Sequence, residues 1–295
     1  MLAQGGTMLG TTNRGDPFAY VEADGSVKDL SQALLARARE LGIELLITVG
    51  GDGSQEIGLK LHALGLPVIG VPKTIDNDLD ATVETFGFGT AVQVATDALD
   101  RLRTTGESHD RIMLLEVMGR DAGWIALHTG MAGGADVILV PELAYAPELV
   151  VRDLRKIFGA GRRSALIVVA EGAQSRSEGD GRPKARGAKV VAGAAQRAAD
   201  AIAAALPGVE LRVTVLGHVQ RGGVPTAHDR LLATRLGVEA VEAALRGESG
   251  VLVASYPPEI RIVPLASAVQ QVRRVDPEAQ ILGHARALGI SFGDR

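Results

Sequence analysis

The chain has 295 residues and a formal net charge of −4, with 31 lysines and arginines against 35 aspartates and glutamates. Its hydrophobic fraction of 46% and charged fraction of 22% are globular averages, which excludes a disordered or collagen-like chain, and the absence of cysteine excludes disulfides and thiolate chemistry. The balanced charge, the aromatic fraction of 3%, and the lack of a long apolar run or a signal peptide predict a cytoplasmic protein that binds neither nucleic acid nor membrane.

Short β-branched runs alternate with longer stretches of helical period, which is typical of strands joined by crossover helices. We predict strands at about 44–49, 68–71, 112–117, 137–140, 165–169 and 210–216. We predict helices near 30–41, 54–64, 89–104, 147–158, 191–206 and 227–246. Gly42, Gly65 and Gly106 are predicted as C-terminal helix caps. The polar stretch 174–188 is predicted as a surface loop, for which an inert excursion is favoured over a substrate lid. The pattern indicates an α/β fold with mainly parallel sheets.

The first candidate site follows the strand predicted at 44–49, where the chain reads Gly-Gly-Asp-Gly-Ser over residues 50–54 before a helix. Glycines let a phosphate chain approach backbone N–H groups, and a helix N-terminus carries about half a positive charge. Asp52 could hold Mg²⁺ on such phosphates. The alternative is a tight turn capped by Asp52 or Ser54. The segment matches neither the P-loop pattern nor the dinucleotide-binding fingerprint.

The second candidate site follows the next predicted strand, where residues 72–78 read PKTIDND. In an extended loop Asp76 and Asp78 would point to the same side. One carboxylate could act as a base while the other orients it or touches a metal, and Lys73 could hold a phosphate oxygen. The alternative is a solvated acidic loop. Because two neighbouring strands would open these loops at the same sheet edge, the pair favours a site.

A third group consists of basic residues at predicted strand ends and turns: Arg111, Arg120, Arg212, His218 and Arg221. Arginine binds phosphate bidentately, so several beside glycines predict a phosphorylated substrate, although any single one could be an ordinary surface residue. Glu171 could accept hydrogen bonds from sugar hydroxyls, or could be a capped or solvated strand end. Met118 could pack against a ligand, although methionine at such a position is more often core.

In this order, GGDGS, PKTIDND, the MGR of residues 118–120, AGGADVILVPE and LGHVQRGG resemble the 6-phosphofructokinase family. The similarity runs from GGTMLG at Gly5 to GISFGD near the end. It implies phosphorylation of the 1-hydroxyl of fructose 6-phosphate, on two doubly wound domains with the active site in the cleft between them. We expect a phosphoryl-donor domain of 1–87 plus 220–262 and a fructose 6-phosphate domain of 88–219 plus 263–295.

The resemblance also implies residue roles. Asp76 would be the base for the sugar 1-hydroxyl, Thr74 would assist it, and Arg120 would stabilise charge on the transferring phosphoryl group. The implied fructose 6-phosphate residues are Thr74, Asp76, Asp78, Arg111, Met118, Gly119, Arg120, Glu171, Arg212, His218 and Arg221. The implied donor residues are Arg14, Gly51, Asp52, Gly53, Ser54 and Lys73, with Asp52 as the Mg²⁺ ligand. Arg111 and Arg212 would reach a neighbouring subunit's site, which implies a homo-oligomer, with a homotetramer as the expected form.

The sequence departs from the family at two places. Members begin with a strand and a glycine-rich donor loop, whereas this chain opens at the segment that follows that unit, and Asn13 stands where a donor-binding arginine is usual. Gly53 and Lys73 form a mixed pair, because ATP-using bacterial members usually have two glycines and pyrophosphate-using members have Asp and Lys. A side chain at Gly53 would intrude on the nucleotide, so ATP is favoured over pyrophosphate. A non-catalytic sugar-phosphate-binding subunit is the second alternative.

Overall fold

The computed structural model describes residues 2–12, 15–179 and 193–295. In chain order the strands are β1 (Tyr20–Val21), β2 (Val27–Lys28), β3 (Leu46–Gly50), β4 (Val68–Thr74), β5 (Phe86–Gly87), β6 (Ile112–Val117), β7 (Val137–Leu139), β8 (Ala165–Ala170), β9 (Leu211–Val215), β10 (Val251–Tyr256) and β11 (Glu259–Pro264). The helices are α1 (Ser31–Glu40), α2 (Asp52–Ala63), α3 (Phe88–Ser108), α4 (Trp124–Ala132), α5 (Pro147–Gly159), α6 (Ala194–Ala205), α7 (Ala227–Leu245), α8 (Leu265–Ala268) and α9 (Gln280–Ala287). A short 3₁₀ helix spans Gly217–Arg221. No helix in these three described ranges is long and apolar enough to cross a membrane.

The chain forms two compact units, and neither is one continuous segment. The first unit contains the residues up to Thr74, Leu79–Gly87 and Ala227–Gln271. The second unit contains Ile75–Asp78, Phe88–Thr226 and Val272–Arg295. Residues 75–78, 220–226 and 263–271 are thus grouped differently from the domain division expected above, and the roles of the two units stay a prediction.

The first unit is built on a sheet of order β11-β10-β4-β3, with β5 beside the end of β4. Strands β3, β4 and β10 are parallel, and β11 returns antiparallel to β10. Successive side chains on a strand face opposite sides. Val68 accordingly packs with Leu35 of α1 and Leu61 of α2, whereas Ile69 belongs to a separate cluster with Leu232 of α7. Helices therefore cover both faces of this sheet.

The second unit is built on a four-stranded sheet of order β7-β8-β6-β9, in which every pairing is parallel. Each residue of β6 and β8 is buried, as expected for parallel strands covered on both faces. Together with α3 to α6 and α9 they form one continuous apolar core. The α/β class and the mainly parallel sheets predicted from the sequence are confirmed.

All the predicted strands and helices are present, with ends shifted by a few residues. Gly42 and Gly65 follow helix ends with φ of 67° and 94°, as the cap prediction requires. The prediction for Gly106 is wrong: α3 continues to Ser108, and a Cβ at Gly106 would lie 2.8 Å from Cγ of Met113. The absence of a side chain at Gly106 therefore allows α3 to pack closely on β6.

Helix α4 and the hairpin β10–β11 are the longest of the elements that were not predicted; the others include β1, β2, β5, α8 and the 3₁₀ helix. Helix α4 reads WIALHTGMA, and most of its residues are buried on all sides. A helix that is apolar all round has no periodicity to detect. The turn of this hairpin contains Pro257-Pro258. Two consecutive prolines in a sequence indicate the end of a strand rather than a turn between two paired strands.

Candidate functional site

The glycine-rich turn lies between β3 and α2 in the first unit. A Cβ at Gly50 would come within 2.3 Å of Oγ of Ser54, and one at Gly51 would lie 3.3 Å from Cβ of Thr74. These positions are glycine because the turn folds tightly on itself and against the end of β4. Gly53 and Ser54 are exposed in the first turn of α2, where helix N–H groups favour anions.

Gln55, which sequence reasoning missed, ties this turn to the sheet. Its side chain is fully buried, and Nε2 donates hydrogen bonds to the carbonyls of Gly50 (2.9 Å) and Val71 (3.0 Å). Its Oε1 accepts a hydrogen bond from Oγ1 of Thr48 at 3.2 Å. The amide therefore links β3 and β4 near their carboxyl ends. Gln55 and Gly58 are three residues apart and both lie on the buried face of α2. This helical spacing is the signal in the sequence that could have identified Gln55 as buried.

The residues predicted to meet the phosphoryl donor's charge lie around the same turn. Asp52 is the first residue of α2, and its Oδ1 accepts the backbone N–H of Gly53 at 2.7 Å. The N-cap position is Gly51, so neither Asp52 nor Ser54 caps the helix. A Cβ at Gly53 would meet no atom within 4 Å, and Lys73 is exposed near the end of β4. No group of three or more His, Asp or Glu in the described part of the chain could enclose a metal ion. Mg²⁺ on a nucleotide usually takes only one or two protein carboxylates besides phosphates and water, and Asp52 fits that mode.

The acidic loop follows β4, and its residues 75–78 belong to the second unit. Asp76, Asn77 and Asp78 are only 5%, 4% and 6% exposed, so the alternative of a solvated acidic loop is wrong. The loop is also not extended, because Asn77 adopts a left-handed φ of 53°. The argument that Asp76 and Asp78 share a side by strand alternation therefore does not apply.

Arg273, another residue missed from sequence, holds this loop. Its backbone N–H donates to the carbonyl of Asp78 at 2.8 Å, and its guanidinium donates to the carbonyl of Asn77 at 3.2 Å. The guanidinium carbon lies 4.4 Å from the ring centroid of Trp124, whose Nε1 donates to the Arg273 carbonyl at 3.0 Å. Burial, and then the Arg273 charge, lower the pKa of the nearby His128. Arg273 thus joins the acidic loop to the start of α4.

The carboxyl edge of the second unit's sheet gathers six of the predicted residues. Met118, Gly119 and Arg120 follow β6, and Glu171 follows its neighbour β8. His218 and Arg221 lie on the 3₁₀ helix that follows β9, on the other side of β6. Glu171 is half-buried and accepts the backbone N–H of Arg120 at 2.8 Å. The edge therefore presents two cations and a carboxylate beside a glycine-containing turn.

A buried carboxylate from the AGGADVILVPE motif supports the start of α4. Oε1 of Glu142 accepts the backbone N–H groups of Gly123 and Val275, each at 2.9 Å. Burial raises the pKa of Glu142, although these hydrogen bonds oppose the shift. Glu142 thus holds Gly123, the last residue of the turn that begins at Met118, at the start of α4.

Arg111 and Arg212 lie at the opposite, amino edge of the same sheet. Arg111 precedes β6 and Arg212 is the second residue of β9. Both pair with Glu210, and Nε of Arg111 lies 2.6 Å from its carboxylate. The structure therefore does not bring them to the carboxyl edge within this chain. Arg14 and residues 180–188 of the predicted loop lie outside the described residues.

Comparison with known proteins gives consistent matches. The family model described as Phosphofructokinase matches residues 1–244. ATP-dependent 6-phosphofructokinase of Chloroflexus aggregans is 49% identical over 294 residues, covering 100% of this chain and 82% of that protein. ATP-dependent 6-phosphofructokinase 1 of Synechocystis sp. is 43% identical over 304 residues, with the same coverage of both.

Two solved structures have similar folds. Phosphofructokinase from Pichia pastoris in the T-state superposes with a TM-score of 0.77 and 29% identity over 97% of this chain. Pyrophosphate-dependent phosphofructokinase from Marinobacter aquaeolei superposes with a TM-score of 0.70 and 28% identity over 84% of this chain. This chain spans 31% of the Pichia polypeptide and 65% of the Marinobacter polypeptide.

Proposed function

We propose, from the premise that the chain belongs to the phosphofructokinase family, that it is an ATP-dependent 6-phosphofructokinase of glycolysis. The reaction transfers the γ-phosphate of ATP to the 1-hydroxyl of fructose 6-phosphate and yields fructose 1,6-bisphosphate and ADP. The observation that carries this proposal is the 49% identity, across the full chain, to a protein of that name. Gly53 supports ATP as the donor because the space beside it is open.

The sugar phosphate is assigned to the carboxyl edge of the second unit's sheet. Met118, Gly119, Arg120, Glu171, His218 and Arg221 share this edge. A phosphate dianion suits the arginines, and the Glu171 carboxylate suits sugar hydroxyls. Thr74, Asp76 and Asp78 complete the proposed sugar residues. Arg111 and Arg212 are assigned to a neighbouring subunit's site, which makes the enzyme a homo-oligomer, proposed as a tetramer, located in the cytoplasm.

The proposed chemistry needs a base and charge stabilisation rather than covalent catalysis. Asp76 takes the proton of the 1-hydroxyl as the hydroxyl oxygen attacks the γ-phosphorus, with Thr74 beside it in sequence. Asp76 is only 5% exposed, which keeps bulk water away from the proposed base and so supports this role. Arg120 stabilises the charge that spreads over the transferring phosphoryl oxygens.

The donor phosphates are assigned to the turn of residues 51–54 in the first unit. Backbone N–H groups at the start of α2 and the Lys73 ammonium would face these phosphates. Asp52 would hold Mg²⁺ there, and the ion when bound neutralises phosphate charge and so lowers the barrier to transfer.

The direct test is ADP release from ATP and Mg²⁺ that depends on added fructose 6-phosphate. Absence of product from the full-length protein would contradict the proposal. Lys73 favours a second candidate, a pyrophosphate-dependent enzyme, which would instead release phosphate reversibly from pyrophosphate and would not use ATP. Stabilisation of the fold by fructose 6-phosphate without turnover of either donor would identify a binding subunit.

A further inference from the structure

The 3₁₀ helix at Gly217–Arg221 carries two predicted sugar-phosphate residues and one buried amide. Because this helix has about three residues per turn, side chains three apart lie on one face. His218 and Arg221 have that spacing and both are exposed. Gln220 belongs to another face and is only 1% exposed. Burial of Gln220 therefore sets the direction of the face that carries His218 and Arg221.

The buried amide of Gln220 bridges two other parts of the second unit. Its Oε1 accepts the backbone N–H of Met118 at 2.8 Å, and its Nε2 donates to the carbonyl of Ala91 in α3 at 3.3 Å. Met118 opens the turn after β6, and the 3₁₀ helix follows β9, the neighbouring strand. One side chain thus fixes the two loops that carry His218, Arg221 and Arg120 relative to each other.

We infer that Gln220 is a positioning residue, which holds the turn at Met118 against the 3₁₀ helix so that both face one sugar phosphate. This inference rests on the proposed function. Both polar ends of the amide are needed, since each satisfies a backbone group of the unit's interior. An apolar side chain of similar length would leave the part-buried Met118 N–H without the Gln220 acceptor, and loss of a partner is costly for a backbone group that is shielded from water.

The test compares Gln220→Met with Gln55→Met, a matched control. Both changes remove a buried amide that links strand ends, but Gln55 lies in the first unit beside the proposed donor turn. We expect Gln220→Met to raise the KM for fructose 6-phosphate by about ten- to a hundredfold, the range for one unsatisfied buried hydrogen-bonding group. We expect the KM for ATP to change by less than about threefold. Gln55→Met is expected to show the opposite pattern.

Equal changes in both KM values for Gln220→Met, or a loss of thermal stability with unchanged KM for the sugar, would overturn the inference. If Gln220→Met does not fold, Gln220→Asn is measured with the same expectation, because its shorter amide cannot span both partners.

The increase in melting temperature with fructose 6-phosphate is recorded for each protein as well. A wild type that is stabilised but not catalytic would contradict the proposed function alone. Loss of that stabilisation in the variant would then support the inference, and its retention would overturn it.

Discussion

The carboxylate of Glu171 accepts a hydrogen bond from the backbone N–H of Arg120 at 2.8 Å, across the ends of the neighbouring strands β6 and β8. Arg120 has a φ of 52°, a left-handed conformation that is uncommon for residues other than glycine. Such a conformation costs of the order of 1 kcal/mol and persists where surrounding contacts hold it. Glu171 is one such contact, so it helps to place the arginine assigned to phosphoryl transfer.

Two substitutions of Glu171 distinguish the effect of its negative charge from the effect of its hydrogen-bond acceptor. Glu171→Ala removes the acceptor for Arg120, and we expect kcat/KM for fructose 6-phosphate to fall by about ten- to a hundredfold, as for a charged hydrogen bond. Glu171→Gln keeps an oxygen acceptor, and a smaller loss is expected. Steady-state kinetics check both variants, with Glu248→Ala, a change at a half-exposed residue of the first unit that pairs with Arg246, as the control. Equal activity of Glu171→Ala and the wild type would contradict the assignment.

Asp76→Ser tests the proposed base. A positioned general base typically contributes about 10²- to 10⁴-fold, so we expect turnover to fall by that factor. The affinity for fructose 6-phosphate should change little, because the hydroxyl of serine still fits the buried loop. Rapid-mixing turnover and sugar titration by thermal shift measure the two quantities separately. A large loss of affinity with normal turnover would reassign Asp76 to binding, and Asp80→Ser in the adjoining segment is the control.

Gly53→Asp tests whether ATP is the phosphoryl donor that binds at the turn of residues 51–54. The fold should tolerate it, because a Cβ at Gly53 meets no atom within 4 Å and an acidic residue near a helix N-terminus is favourable by about 0.3–1 kcal/mol. A carboxylate near the ATP phosphates repels them, so we expect the KM for ATP to rise about tenfold or more. Gly53→Ala adds the Cβ without the charge and should have a small effect. Full ATP activity in Gly53→Asp would weaken the case for a nucleotide at this turn.

Arg212 tests whether sites are shared between subunits. If Arg212 binds substrate in a neighbouring subunit's site while Asp76 acts in the site of its own subunit, two different subunits supply these residues to each site. Arg212→Ala and Asp76→Ser then remove residues that come from different subunits. We therefore expect each variant alone to be nearly inactive, and coexpression of the two to restore activity through sites that receive an intact residue from each subunit. Activity assays on the purified hybrid measure this. No recovery in hybrids of demonstrated mixed composition would place both residues in one chain's site.

Asp153 should make the stability of the fold depend on pH. Burial acts to raise the pKa of Asp153, but hydrogen bonds from Arg152, Lys156 and Ser291 outweigh it and lower the pKa to about 2. A lowered carboxyl pKa stabilises the fold above the unfolded value near 3.9, and this contribution is lost as the pH falls towards 2. We expect Asp153→Asn to lose about 1–2 kcal/mol at pH 7 after allowance for solvent screening. Urea unfolding between pH 7 and pH 3 measures the difference, which should shrink at the acidic end; a constant difference would contradict it.

Much of the fold could be predicted from the sequence because its information is local. The apolar run Ile112–Val117 and the helix starting at Pro147 are recognisable from a few consecutive residues. The glycine-rich turn and the acidic loop were found for the same reason, since a strand end followed by Gly and Asp is a local pattern. The family resemblance also rests on such short motifs in a fixed order.

Other parts of the site depend on which strands become neighbours. Gln220 meets Met118 across 102 residues, and Arg273 meets Asn77 across 196. A glutamine or an arginine in a polar stretch looks the same in sequence whether it is buried or solvated. Burial of the Asp76 loop was likewise decided by tertiary packing, against the alternative of a solvated acidic loop. The short motifs could therefore be read from the chain, whereas the buried polar side chains that hold them depend on contacts that exist only after the sheets have formed.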